Sequence, residues 1–216
     1  MHLEPALEQQ RLYRSAFVAH CAQLLFLGRA KLSAWDLSHA EEPHITGELV
    51  RAINVDVIQA LDAESWMWTF NVLDDPPQNV DGRTGKRRPR IDIEMQTNGA
   101  SGRRPSFHIE AKRLYRSDSL TQYLGPTGLG MFLTGEYAPG QLSGGMLGYV
   151  QTETCSAWRE KILAGMIHRM DELSLVSNDD GFVPTEKVPD EQTRVSLHRR
   201  SQKGKIQIYH FFLDFC

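Results

Sequence analysis

The sequence predicts an α/β fold: a mixed central sheet flanked by helices, opened by an N-terminal helix and closed by a C-terminal β-hairpin. Period-two alternation carries the strands, in RIDIEMQ, PSFHIEAKRL, TRVSLHRR and KIQIYHFFLDF. Apolar stripes at helical spacing carry the helices, at residues 5–33, 44–61 and 155–174. The 216 residues, 41% hydrophobic and 24% charged, suffice for one well-buried core, so a single domain over 1–216 is expected. Its parts are a helical segment at 1–40, a core at 46–175 and a hairpin at 192–215.

Taken in order, Tyr13, Phe17, Cys21 and Leu24 make the stripe of the first helix, which suits a helical edge or a partner-binding surface. In HITGELVRAINVDVIQAL the stripe is Leu49, Ile53, Val57 and Leu61, with Thr46 as N-cap. SWMWTFNVL at 65–73 reads as a strand, and DDPPQNVDGRTGKRRP as an exposed loop. GRTGK lacks the glycine a phosphate-binding loop needs five positions earlier, where Val80 stands, so ATP binding is rejected. Eight glycines at 123–148 fit turns, a short helix and a following strand GGMLGYVQT; the spacing excludes a dinucleotide fingerprint. They fit tight turns around buried aromatics, or close backbone approach to nucleic acid. CSAWREKILAGMIHRMDELS is an amphipathic helix that covers the sheet, and SQKG is the turn of the final hairpin.

The chemistry concentrates in two strands. In RIDIEMQ, Ile91, Ile93 and Met95 alternate with Asp92, Glu94 and Gln96; in the next, Phe107, Ile109 and Ala111 alternate with His108, Glu110 and Lys112. A hairpin closing symmetrically about residue 101 sets Asp92 opposite Glu110, Glu94 opposite His108 and Arg90 opposite Lys112. Two acids facing across a sheet repel. A divalent cation offers a reason to tolerate this, since Mg²⁺ takes one or two protein carboxylates plus water and phosphate. The same alternation also suits a hairpin with one solvated face. Glu94 is expected to pair with one of the many arginines, and Gln96 could contact substrate or water.

With Asp92 on one strand, Glu110-Ala111-Lys112 on the next and seventeen residues between the two acids, the sequence resembles the PD-(D/E)xK nuclease superfamily, the restriction-endonuclease-like fold. Pro89 stands near the Asp without immediately preceding it. The resemblance covers about residues 46–155. It implies a restriction-endonuclease-like core that hydrolyses phosphodiester bonds, with Asp92, Glu110 and the carbonyl of Ala111 binding Mg²⁺ or Mn²⁺ and Lys112 orienting or helping deprotonate a bound water. Glu48, in the first turn of its helix, would be an accessory metal ligand and catalytic residue; the helix dipole alone also favours an acid there.

Charge supports a polyanionic partner. The chain carries a net −3, yet Arg83–Arg116 holds ten basic residues against three acids, a local +7. A basic rim around an acidic cluster suits DNA cleavage, with Arg87, Arg88, Arg90, Arg103, Arg104, Arg113, Arg116, Gln122 and Tyr123 as candidate nucleic-acid contacts. Solvated loop tips would give the same composition. Arg194, Arg199, Arg200, Lys203 and Lys205 form a second basic group that could extend the groove. Three scattered cysteines fit neither a disulfide framework nor a zinc site, and the eight histidines form no ligand set by spacing. No apolar run approaches the roughly 18 residues of a membrane span, and the N-terminus is not a secretory signal, so a cytoplasmic protein without a membrane partner is expected. The resemblance makes restriction or antiphage defence the leading setting, beside a separate motor or sensor subunit or as a homodimer. The alternative is a noncatalytic nucleic-acid-binding or assembly subunit of a defence complex.

Overall fold

The computed structural model describes residues 3–78, 86, 88–98, 105–176, 183–184, 193–200 and 204–216, with 3–14 and 183–184 described as backbone. Helix α1 spans Leu3–Lys31. Of its predicted stripe, Phe17, Cys21 and Leu24 are buried in the core, and the side chain of Tyr13 lies outside the described residues. Gly28 is required where α1 meets the next helical segment: a Cβ there would lie 2.5 Å from Ile53 Cγ1.

Helix α2, Glu42–Arg51, begins five residues earlier than a cap at Thr46 would start it, with Glu41 as N-cap and Pro43 in its first turn. Thr46 is instead buried inside the helix, its Oγ1 2.9 Å from the Tyr149 hydroxyl. The helix runs on as a π-helical stretch, Ala52–Ile58, and stops there, so Leu49, Ile53 and Val57 are buried whereas Leu61 is fully exposed. The looser π turn presents Asn54 to the sheet edge, where its amide donates to Val72 O at 2.8 Å and accepts from Val72 N–H at 3.4 Å. Both backbone groups of an edge-strand residue are thereby occupied, closing a pairing site that exposed edges leave open.

The strand expected at 65–73 opens instead with a 3₁₀ turn, Met67–Thr69, before β1, Phe70–Asp74. β1 pairs antiparallel with β2 (Ile93–Thr97), and β2 with β3 (Ser106–Leu114), in the register set by a turn centred on residue 101: Ile93 faces Ile109 and Glu94 faces His108. Two short helices follow, α3 (Ser119–Leu124) and α4 (Leu129–Thr134), then β4 (Ser143–Val150), parallel to β3. Gly144 on β4 leaves room for the Phe132 ring, whose Cε1 would stand 2.5 Å from a Cβ. Helix α5, Cys155–His168, is capped by Thr154, whose side chain accepts from Ala157 N–H. It is followed by β5 (Val183–Pro184), β6 (Thr193–Arg200) and β7 (Gly204–Asp214).

The sheet has the order β1-β2-β3-β4-β7-β6-β5. β6 and β7 form the predicted hairpin, and β7 enters beside β4 in parallel. One face, with Ile93, Phe107, Ile109, Tyr149 and Phe211, packs against α1 and α2. The other, with Met146, Ile208 and Phe212, packs against α3, α4 and α5 through Tyr123, Phe132, Trp158 and Ile162. Each fully buried aromatic or aliphatic side chain contributes roughly 1.5–3 kcal/mol. The polar side of β3 is therefore no wet surface: His108, Glu110 and Lys112 are 6%, 4% and 9% exposed. No helix among the described residues is long and apolar enough to cross a membrane.

Candidate active site

The site forms where β2 parts from β3. The segment leading into β2 is drawn toward β1's continuation: Asp75 N–H donates to Asp92 O at 3.0 Å and Ile91 N–H to Pro76 O at 3.3 Å. The β2–β3 ladder consequently stops at Ile93–Ile109. Asp92, one residue beyond, occupies the opening with its side chain, and its Oδ2 accepts the Ala111 N–H at 2.7 Å. The expected Arg90–Lys112 pairing does not form. Arg90 is carried off with the departing chain and pairs with Asp75, Nε to Oδ2 at 2.6 Å.

Lys112 fills the fork. Its Nζ lies 2.8 Å from Glu110 Oε1, 3.1 Å from Glu42 Oε1, 4.0 Å from Asp92 Oδ2 and 2.7 Å from the Ala111 carbonyl oxygen. Three carboxylates, from α2, β3 and the segment leading into β2, converge on one amine. Glu42 also accepts the Arg113 N–H at 3.2 Å, which ties the N-terminus of α2 to the end of β3. Burial, together with the charge on Asp92, pushes the Glu110 carboxyl up to about 9. Burial acts to lower Lys112, but Glu110, Glu42 and Asp92 outweigh it and hold the ammonium well above its usual range. Burial raises Glu42 as well, against the pull of Lys112. The cluster is short of positive charge for the acids it buries.

A second polar group continues along the same face. His108 Nε2 is 3.3 Å from Glu94 Oε1, to which Gln96 Nε2 also donates at 2.8 Å. Glu94 thus pairs with the histidine opposite it rather than with an arginine, and the His108 bond, ahead of Gln96, holds it below the usual carboxylate range. Two atoms on this face, Glu110 Oε2 and His108 Nδ1, are buried without a hydrogen-bond partner.

Several sequence expectations change. Glu48 is not the helix acid at the fork; it pairs with Arg51 at 2.9 Å, and Glu42, a turn and a half earlier, takes that position. The start signal that would have found Glu42 was the run Glu41-Glu42-Pro43, acids and a proline at a helix N-terminus. Tyr123 cannot stack on a nucleobase: it is fully buried, its hydroxyl 3.0 Å from His210 Nδ1. Arg113 is built into the scaffold, donating to Gln151 Oε1 at 2.8 Å and to Glu41 and lying over the Tyr115 ring. Arg116 and Gln122 are at the surface, both engaged with Asp118. Arg88 is half-buried, and Arg87, Arg103 and Arg104 lie outside the described residues. In the second basic group, Arg199 and Lys205 are exposed and face each other across the hairpin, whereas Arg200 is buried.

The residues fit a hard divalent cation by their chemistry. Asp92, Glu110 and the Ala111 carbonyl oxygen supply oxygen donors at one place, and Glu110 Oε2 is buried there with no partner. Among the described residues no three acidic, imidazole or thiol groups already form a ready-made cage. Compared with known protein families, curated proteins and solved structures, the chain shows no significant match.

Proposed function

We propose that the chain is a Mg²⁺- or Mn²⁺-dependent nuclease that hydrolyses phosphodiester bonds of DNA on a restriction-endonuclease-like core. The reading rests on one observation: Asp92, Glu110 and Glu42 gather within 4.0 Å of the Lys112 amine, with the Ala111 carbonyl among them. Asp92, Glu110 and Ala111 O would hold the ion. When bound, it stabilises charge on the phosphate and lowers the pKa of a water. Lys112 stays protonated among its acids, so it acts as an electrostatic donor to the phosphate or attacking water and leaves proton removal to another group. Glu42 keeps the ammonium aimed at the fork, and the Asp92–Ala111 hydrogen bond fixes the acid to the strand. Restriction or antiphage defence, with a partner subunit or a second copy of the chain, is the setting that the nuclease reading favours.

The test is cleavage of plasmid and linear DNA with Mg²⁺, Mn²⁺ or EDTA, alongside Asp92→Ala and Lys112→Ala. The expected result is metal-dependent cleavage lost by at least about 100-fold in each variant. Cleavage indifferent to both substitutions would remove the site. Salt-sensitive DNA binding without cleavage would support a noncatalytic subunit instead.

A further inference from the structure

Among the described residues three buried side-chain atoms have no hydrogen-bond partner. Thr193 Oγ1 is on β6, but the other two, His108 Nδ1 and Glu110 Oε2, belong to residues two apart on one face of β3. The hydrogen bonds around the imidazole decide which nitrogen carries its proton. His108 Nε2 lies 3.3 Å from Glu94 Oε1 and 3.4 Å from Ser106 Oγ. Both oxygens already accept from an amide, Glu94 Oε1 from Gln96 Nε2 at 2.8 Å and Ser106 Oγ from Gln141 Nε2 at 3.0 Å. Gln141 is itself held at its carbonyl by Arg200 Nη1 at 3.1 Å. With two acceptors against it, Nε2 carries the hydrogen and Nδ1 presents a bare lone pair.

The unpartnered nitrogen and the unpartnered carboxylate oxygen are therefore both acceptors, and neither can satisfy the other. Buried together, they call for one shared electron-pair acceptor. Ile109, between them, packs into the core on the opposite face, so the two side chains rise from the same face roughly 6.6 Å apart along the strand. A divalent ion bonds imidazole nitrogen and carboxylate oxygen at about 2.0–2.2 Å each, which spans about 4 Å of that gap, and side chains leaning together cover the rest. Glu94, behind Nε2, stands where a carboxylate fixes the tautomer and ring orientation of a ligating histidine.

We propose that His108 is a further ligand of the divalent ion held by Glu110, binding it through Nδ1, and that this nitrogen makes the site select Mn²⁺ over Mg²⁺. The inference rests on the metal-site reading above and narrows it to one kind of ion. Mg²⁺ keeps to oxygen ligands and water, whereas first-row transition ions accept imidazole. His108→Gln isolates the ligand: its amide reaches the Nε2 position beside Glu94 and leaves the Nδ1 position without a donor atom.

The experiment is calorimetric titration of Mn²⁺ and of Mg²⁺ into the full chain, wild type and His108→Gln, with melting curves in parallel. Pulsed electron paramagnetic resonance of the Mn²⁺-loaded protein reads whether a nitrogen is bound directly. Wild type should bind Mn²⁺ about 10-fold or more tighter than Mg²⁺ and show nitrogen coupling. His108→Gln should lose the coupling and about 10-fold or more of the Mn²⁺ affinity, with Mg²⁺ binding within about threefold of wild type. Mn²⁺ bound by wild type without nitrogen coupling would overturn ligation by His108 while leaving the carboxylate site standing, and that readout needs no variant. Coupling that survives in folded His108→Gln would overturn it too. Equal wild-type affinities for the two ions would overturn the selectivity. A wild-type chain that binds neither ion would overturn the metal site and this inference with it.

Discussion

Replacing Glu110 with Gln should make the metal-free protein more stable, and increasingly so as pH rises. Glu110 is 4% exposed, shares its pocket with Asp92 and has one oxygen unpaired. Its carboxyl is pushed from 4.5 up to about 9, a balance that already includes the attraction of Lys112. A raised carboxyl favours the folded state at low pH, and that advantage is lost as the unfolded chain ionises above 4.5 while the native site still holds its proton. Each pH unit is about 1.4 kcal/mol, so at pH 7 the native acid costs about 3 kcal/mol relative to pH 4.5, and the cost levels off near pH 9. Gln has the same shape and nothing to ionise. Since 1 kcal/mol moves the melting temperature of a chain this size by about 2–4 °C, Glu110→Gln should melt roughly 10 °C above wild type at pH 7 in EDTA and be close to it at pH 4.5. Adding Mn²⁺ at 100 times its dissociation constant should then raise wild type by about 2.7 kcal/mol and leave the variant unmoved. Melts at pH 4.5, 7 and 8.5, with and without Mn²⁺, test this. A variant less stable than wild type at every pH, or a gap that narrows toward pH 8.5, would refute the picture of a strained acid awaiting a cation.

The two acids of α2 should separate functionally. Glu42→Gln should reduce cleavage about 10-fold or more by loosening Lys112, whereas Glu48→Gln, which breaks a partly exposed pair with Arg51, should stay within about threefold in cleavage and about 0.5 kcal/mol in stability. The opposite ranking in a plasmid-nicking assay would return Glu48 to the metal cluster. Acid should also loosen the far end of the sheet. Burial lowers His198 to about 4 and drives His210 well below 6.5, and Ser196 Oγ sits 2.7 Å from Nε2 of both. Stability from His198 is complete above pH 6.5 and is lost as pH falls toward 4, because the unfolded imidazole protonates first, a change of about 3 kcal/mol. Denaturant titrations should show a shallower loss between pH 6.5 and 4 in His198→Gln; an unchanged slope would count against it.

What could be read in advance was local. Asp92, Glu110 and Lys112 were recoverable because alternation fixes which side chains share a strand face, and the register centred on residue 101 put Glu94 against His108 as expected. The departure at Asp92 was not, since it depends on residues 75–78 capturing 89–92 by backbone bonds. Thr46 is a good cap in isolation, which puts Glu48 in the first turn; the proline at 43 and a buried Thr46–Tyr149 bond, more than a hundred residues apart in sequence, start the helix at Glu42 instead. Tyr123 and Arg113 read as nucleic-acid contacts because they lie at the end of a charged strand and just beyond it. Their burial comes from α3 packing beneath the sheet and from the α2 N-terminus, contacts that no sequence window contains. Arg200 reads as one more cation in a basic run, and nothing near it announces that its buried guanidinium donates to the carbonyls of Phe132, Tyr137, Ala138 and Gln141, some sixty residues earlier.

The last strand in the sequence is not at the rim of the sheet but in its middle, between β4 and β6. A growing chain that has emerged through α5 therefore carries β4 with one flank bare, and residues 204–214 must slot into that seam before the layers can close. Closure waits on contacts made across roughly sixty positions of chain, the kind that slow folding most. The interior accordingly cannot close without residues 204–214, and a product cut before the hairpin would be left with an open, adhesive edge along β4.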